Sequence, residues 1–525
     1  MRISFIILFC FFELVANTQH RVLVYFKDKG PEAFEKLKHP ELLFTPEAIE
    51  RRIQSNCNFD LLDVPVNPEY IALIARNGYK IQSVSRWLNA VMIEASAEKT
   101  PDLLRLPIVE KIQFWDEYNS TPHNTTATQS IYNYGNSTNQ IKMLNLDLLH
   151  NQGYTGNQIL VMVCDGGFNN VNNLGAFQYM RSKNRIKATR DFVSNDGDVY
   201  ADDNHGAFVL SILAAKLDSG VIGSGFDANF MLARTENVAS ETHSEEYNWL
   251  LASEWADSAG VKIIQSSLGY SDFDSGGNYA PTAMDGHTAI ITQAAVIATR
   301  KGMVIVNSAG NEGDKNFRKI TAPSDADSIL CVGSVYDSKA RVMNSGQGPS
   351  ADLRIKPDVM AMGGNTAYVN GSNTVSFGTG TSFASPLIAG LCACLMQKNK
   401  YVTNIELVNA VKRSADRFGN PDTLYGYGIP NAFIADTILQ NISSGRGIER
   451  IVKSNPNIII NSLASNELKL NISIQRPIVI EIYNCAGKVI CSKEIITNHI
   501  DISTLQSGTY YLKLNGQFAG KFCKL

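Results

Sequence analysis

The stretch Gln158–Asp165, QILVMVCD, runs apolar from Ile159 through Cys164 and stops on a carboxylate. A short continuous apolar run bounded by polar residues reads as a strand buried on both faces. The pattern recurs in Ala228–Glu236 (ANFMLARTE), Val261–Gly269 (VKIIQSSLG), Met303–Asn311 (MVIVNSAGN) and Ser328–Val335 (SILCVGSV). Helical patterns lie between them: His205–Leu217 (HGAFVLSILAAKL), one ending in Glu254–Gly260 (EWADSAG) and one ending in Ala298–Gly302 (ATRKG). Strand and helix in alternation predict an α/β fold, a parallel sheet flanked by helices, over residues 141–440.

In such a sheet, functional groups collect where the carboxyl ends of the strands meet solvent. Those ends supply Asp165, Ser267 and Asn311, while His205 and Ser382 stand at the heads of helical runs. A nucleophile, a base, an orienting acid and an amide donor are therefore all present. Each has a plainer role open to it: Asp165 as a turn former, His205 as a solvated residue, Asn311 in a turn, Ser382 as a helix cap. Asp202 and Asp203, just before His205, have two readings, tuning its pKa or plain solvation, of which solvation is preferred.

The chain has 525 residues, 44% hydrophobic and 18% charged, which suits several globular units with sizeable cores. A net charge of −3 and the lack of a Lys/Arg cluster interleaved with aromatics exclude nucleic acid as an expected partner. Residues 1–19, MRISFIILFCFFELVANTQ, combine a basic start, a short apolar run and small residues, and read as a secretory signal. No later run is long enough to span a membrane. The nine cysteines include Cys10 in that signal, and most of the rest read as small hydrophobes buried in apolar runs. Cys485 and Cys491 form the one candidate disulfide for an oxidising compartment.

The flanks differ in texture. Residues 20–115 open with the strand RVLVYF, include a polar helix around PEAIERRIQ, and carry an alternating half-buried strand from Asn89 to Ala95, together a small α+β domain. Residues 116–140 are rich in Asn, Ser and Thr and read as a linker. After a second linker over 441–454, residues 455–525 turn to short alternating strands with Ser507-Gly508 and Asn515-Gly516 turns, a small β-sandwich.

Chain order narrows the chemistry. A lipase-like serine hydrolase needs its histidine downstream of the serine, and only His499, in the tail unit, follows Ser382. Gly380-Thr381-Ser382-Phe383-Ala384 also lacks the closing glycine of that family's elbow. The order Asp165, His205, Ser382 is instead the subtilisin order.

Four motifs carry the resemblance to subtilisin-like serine proteases: VMVCDGGF around Asp165, NHGAFVLSILA around His205, VNSAGNEG around Asn311 and GTGTSFASPLIAG around Ser382. SSLGY at 266–270 and KPDVMAMGG at 356–364 are also similar to that family's core. The chain departs from the usual pattern at Gly166, where Ser or Thr is common, and at Ala207, where Thr is common.

The resemblance implies a secreted serine endopeptidase of broad specificity acting on protein or peptide substrates. It assigns Ser382 as nucleophile, His205 as base, Asp165 as orienting acid and Asn311 as oxyanion donor. Ser267, Leu268 and Gly269 become the edge against which an extended substrate adds. Catalysis would need no cofactor, although the family often carries structural calcium, and no loop has the spacing that would locate one. Residues 20–115 resemble the family's pro-region, which makes the linker the activation site of a zymogen. The tail, with IEIYNCAGKVI and IDISTLQSGTYYLKL, resembles the C-terminal sorting domain of the type IX secretion system, implying that machinery as a partner and export across an outer membrane. Its usual Pro-Asn-Pro is here Asn455-Pro456-Asn457. The competing expectation is a non-catalytic scaffold of the same fold that binds proteins or surface glycans.

Overall fold

The computed structural model describes residues 20–55, 57–95, 100–115, 132–442, 463–470, 477–484, 489–514 and 517–524. The signal segment, residues 116–131 of the first linker, the second linker from residue 443 on, and Cys485 lie outside the described residues.

The first unit is an antiparallel sheet of β1 (His20–Phe26), β2 (Ile81–Ser85), β3 (Ala90–Ala95) and β4 (Val109–Trp115), in the order β2-β3-β1-β4. It is accompanied by α1 (Pro46–Gln54) and α2 (Pro68–Arg76). Alternation along β1 and β3 sends Val22, Val24, Val91 and Ile93 to a core shared with Ile74 of α2. The opposite positions, Leu23, Tyr25, Ala90 and Met92, join the core of the next unit. The half-buried expectation for Asn89–Ala95 is therefore corrected. On its outward face Ala90 and Met92 are covered by another domain, and Glu94 alone stays exposed.

The central unit is a seven-stranded parallel sheet: β5 (Leu160–Asp165), β6 (Ile186–Asp191), β7 (Asn229–Arg234), β8 (Ile263–Ser266), β9 (Val304–Ser308), β10 (Leu330–Val335) and β11 (Val359–Met362). The order is β11-β10-β9-β8-β5-β7-β6. Val161, Val163, Ile263, Val304 and Val306 point to one face, where α3 (His205–Ala214) and α6 (Thr381–Lys398) pack. Met162, Cys164, Ile264 and Ile305 point to the other, under α4 (His243–Ala259) and α5 (Ile290–Arg300). The inner strands read as apolar because helices cover both faces, whereas the edge strand β6, IKATRD, is only half-buried and mixed in character.

Residues placed in the first linker also belong here. Tyr134 and Ser137 are buried and a helix begins at Thr138, so the packed structure starts before Gln140.

The contact between the first two units is strongly ionic. Arg51 and Arg52 of α1 are 1% and 0% exposed, although the helix reads as polar. Asp257 of α4 takes Arg51 and, at 2.7 Å each, Arg52 and Arg86. Asp63 holds Arg52 at 2.8 Å and Lys301 at 2.9 Å.

In the tail, Ile478–Asn484, Val489–Ile495, Gly508–Leu514 and Gln517–Lys524 form antiparallel pairs of a five-stranded sheet, with Leu463–Ala464 at its edge. A two-stranded sheet of Glu467–Lys469 and His499–Asp501 shares its core through Leu468 and Ile500. No helix among the described residues is long and apolar enough to cross a membrane.

Candidate active site

β5, β8 and β9 are neighbours, so the residues that end them meet at one edge. Asp165 is the last residue of β5; Ser267–Gly269 follow β8; Ala309–Asn311 follow β9. His205 opens α3, and Ser382 is the second residue of α6. The fold thus brings every candidate residue to the carboxyl ends of three adjacent strands.

Asp165 Oδ1 accepts from His205 Nδ1 at 2.8 Å and from the Gly166 N–H at 2.9 Å. With Nδ1 donating to the carboxylate, Nε2 is the nitrogen that gains and loses the second proton. Gly206 permits this approach: a Cβ there would lie 2.3 Å from the Gly167 carbonyl oxygen and 2.8 Å from the Asp165 Cβ. Burial opposes charge on His205. The Asp165 carboxylate, with help from Asp203 and Glu236, outweighs it and holds the imidazolium up to about 9.

Asp203 is not the solvated group its position suggests. Its carboxylate accepts the Asn204 N–H at 2.8 Å, and burial followed by the nearby Asp165 raises its pKa. A Cβ on Gly166 would sit 2.9 Å from Val238 Cγ1 and 3.2 Å from Asp203 Oδ2, so Val238 first and Asp203 second crowd that position. Asp202 pairs with Arg234 at 3.2 Å.

Ser382 is 8% exposed, and its hydroxyl donates to the Ser267 carbonyl at 3.3 Å rather than to His205. Nucleophile–base contacts in ligand-free sites are commonly loose and tighten with substrate. Pro386, one turn on, lacks the N–H that would bond the Ser382 carbonyl. The Ser267 hydroxyl supplies the replacement at 2.8 Å. Ser267 thus spends its side chain on α6 and presents its carbonyl to the site. The Leu268 carbonyl is held by Asn307 Nδ2 at 3.0 Å and Ser308 Oγ at 3.1 Å.

Asn311 Oδ1 accepts from the Thr381 N–H at 3.0 Å and from its hydroxyl at 3.1 Å. That tie fixes the oxygen end, so the amide nitrogen is the free end, beside α6. The Ser382 N–H, one of the first amides of a helix, has no intrahelical acceptor. Thr381, inside the GTGTSFASPLIAG motif, was not singled out in the sequence, whereas Asp203 was named beside His205 but read as solvated. Adjacency to Ser382 and His205 was the available signal.

Asp165, Asp203 and His205 are the one cluster of three or more His, Cys, Asp or Glu groups among the described residues with ligand atoms within 4.8 Å of one another. Calcium prefers oxygen-only shells. This trio includes an imidazole, so it does not fit the calcium the family suggests.

Residues 156–428 match the subtilase family model, peptidase S8. The chain belongs to the subtilase family. It is a serine endopeptidase. Residues 21–130 of this subtilase match the Bacteroidota peptidase S8 propeptide domain, and residues 465–524 match a secretion system C-terminal sorting domain. The tail marks the chain for type IX secretion across the outer membrane, to an extracellular or surface-attached state. Subtilisin E of Bacillus subtilis is 28% identical over 366 residues, covering 68% of this subtilase and 84% of that protein. The alkaline protease of Alkalihalobacillus alcalophilus is 25% identical over 425 residues, covering 80% and 97%.

Proposed function

We propose that this subtilase cleaves internal peptide bonds through Ser382, His205 and Asp165, after release of its N-terminal pro-region. His205 Nε2 takes the Ser382 proton as the hydroxyl attacks the carbonyl, and returns it to the leaving amine. Asp165 holds the tautomer and balances the imidazolium. The Asn311 amide nitrogen and the Ser382 N–H receive the developing oxyanion. The substrate's N-terminal half adds along Ser267–Gly269 through main-chain bonds. The observation that carries this reading is the 2.8 Å Asp165–His205 pair set beside a serine at the start of a buried helix. Titrating hydrolysis of a protein substrate with phenylmethylsulfonyl fluoride tests it. Full loss at one equivalent is expected, whereas undiminished hydrolysis would reassign the chemistry.

Replacing Asn311 with Leu should lower kcat by about 10² to 10³ with KM little changed. That scale comes from the equivalent donor in subtilisin and is not obtained from this chain. Equal losses in kcat and 1/KM would instead indicate a binding defect.

Activity needs His205 neutral, so kcat/KM rises with pH through the pKa of the free enzyme. With that group raised to about 9, the acid limb should lie on the alkaline side of an ordinary imidazole. Asp203→Asn removes a negative charge beside His205, which lowers its pKa and moves the limb to lower pH. A wild-type limb centred at or below about 6.5 would contradict this assignment.

A further inference from the structure

One side chain breaks the apolar pattern of β8. Gln265 follows Ile263 and Ile264 in the central strand of VKIIQSSLG and is fully buried. Its register partners on the two flanking strands are Val163 and Val306, both on the sheet face that α6 covers. An amide in the middle of that face needs a reason, because burying a polar group is costly unless its hydrogen bonds are replaced. Those of Gln265 are only half replaced. Its Nε2 donates to Ser267 Oγ at 2.8 Å and to Ser385 Oγ at 3.4 Å, whereas Oε1 has no hydrogen-bond partner among the described residues. A methionine or leucine would occupy this place without an orphaned acceptor.

The bonds that do form lead to the nucleophile. The Ser267 hydroxyl has one proton, which goes at 2.8 Å to the Ser382 carbonyl, the carbonyl that Pro386 leaves without its helical donor. An acceptor oxygen beside that hydroxyl would compete for the proton. The Gln265 N–H instead fills a lone pair of Ser267 Oγ and leaves the proton to Ser382. Ser385, on the same turn of α6, takes the second N–H and donates in turn toward the Ser266 and Val306 carbonyls at 3.3 and 3.4 Å. The amide therefore grips the first turn of α6 by two routes, and the Ser382 hydroxyl rides on that turn, 3.3 Å from the Ser267 carbonyl.

We infer that Gln265 is a positioning residue for the nucleophile: it aims the Ser267 hydroxyl at the Ser382 carbonyl and so fixes where the Ser382 hydroxyl stands against the substrate edge. This inference rests on the Ser382 mechanism proposed above. It separates two quantities that ordinarily fall together when a buried residue is changed. Replacing the amide by an apolar side chain removes the orphaned acceptor, so the fold keeps or gains stability. A nucleophile displaced by a fraction of an ångström loses rate.

The test uses processed full-length enzyme carrying Gln265→Met or, as a second apolar substitution, Gln265→Leu, with peptide hydrolysis, the rate of fluorophosphonate labelling and the midpoint of a denaturant melt as readouts. Both variants should lose about 10- to 10²-fold in kcat with KM little changed. Labelling should slow by the same factor, because the reagent needs the nucleophile but not the Ser267–Gly269 edge. The melt midpoint should stay or rise. Ser267→Ala should lower kcat on the same scale, and adding it to Gln265→Met should lower kcat little further, since Gln265 acts through that hydroxyl. Wild-type kcat in both Gln265 variants, multiplicative losses in the double variant, or failure of both Gln265 variants to fold as stably as wild type would each overturn the inference and leave the serine mechanism standing. Wild type that neither takes the label nor cleaves any peptide overturns both.

Discussion

Ser382→Ala should reduce turnover of the processed enzyme by about 10⁶, the scale established for the nucleophile of subtilisin rather than measured on this chain. The loss should fall on kcat, with substrate affinity retained, because the donors and the Ser267–Gly269 edge remain. His205→Ala should cost about as much, and the double variant little more than either alone, since the two groups act on one proton. Additive losses would mean that they do not work as a unit. The same variant should accumulate as an unprocessed precursor if the chain cuts its own pro-region.

The second large effect concerns that precursor. Asp257 is fully buried and receives three guanidiniums from the first unit, Arg51, Arg52 and Arg86. Around it, Asp63 shares Arg52 with it and binds Lys301, and Glu254 accepts the Ser85 hydroxyl at 2.6 Å and the Trp87 N–H at 3.1 Å. Removing one member of a buried ionic network leaves its partners charged, dry and unpaired, at a cost of about 3–5 kcal/mol. Asp257→Ala, made in the Ser382→Ala chain so that the precursor stays intact, should lose stability on that scale in a denaturant melt. Once the first unit has left, water reaches Asp257, and the substitution in mature enzyme should change stability by less than about 0.5 kcal/mol. Equal losses in both forms would place the role of Asp257 inside the protease domain instead.

Much of the site was legible because its residues punctuate a strong pattern. Asp165 ends an apolar strand, Asn311 follows another, and His205 and Ser382 begin helices, so a one-dimensional reading finds all four. Arg51 and Arg52 were not legible in this way. PEAIERRIQ has the composition of a solvated helix, and only the approach of Asp257, some two hundred residues away in sequence, turns those charges inward. β3 misled for a related reason, since alternation shows two faces but not that another domain covers the second one. Asp203 was read as solvated because nothing in Asp-Asp-Asn-His says which carboxylate turns toward Gly166.

The most direct test of the account is to map the adduct that a fluorophosphonate forms on processed wild-type enzyme by peptide mass spectrometry. A single adduct on Ser382, blocked by prior alkylation of His205 with a chloromethyl ketone peptide, is the predicted result. An adduct on another serine, or none on protein shown to be folded and processed, would contradict the assignment of Ser382 as the nucleophile.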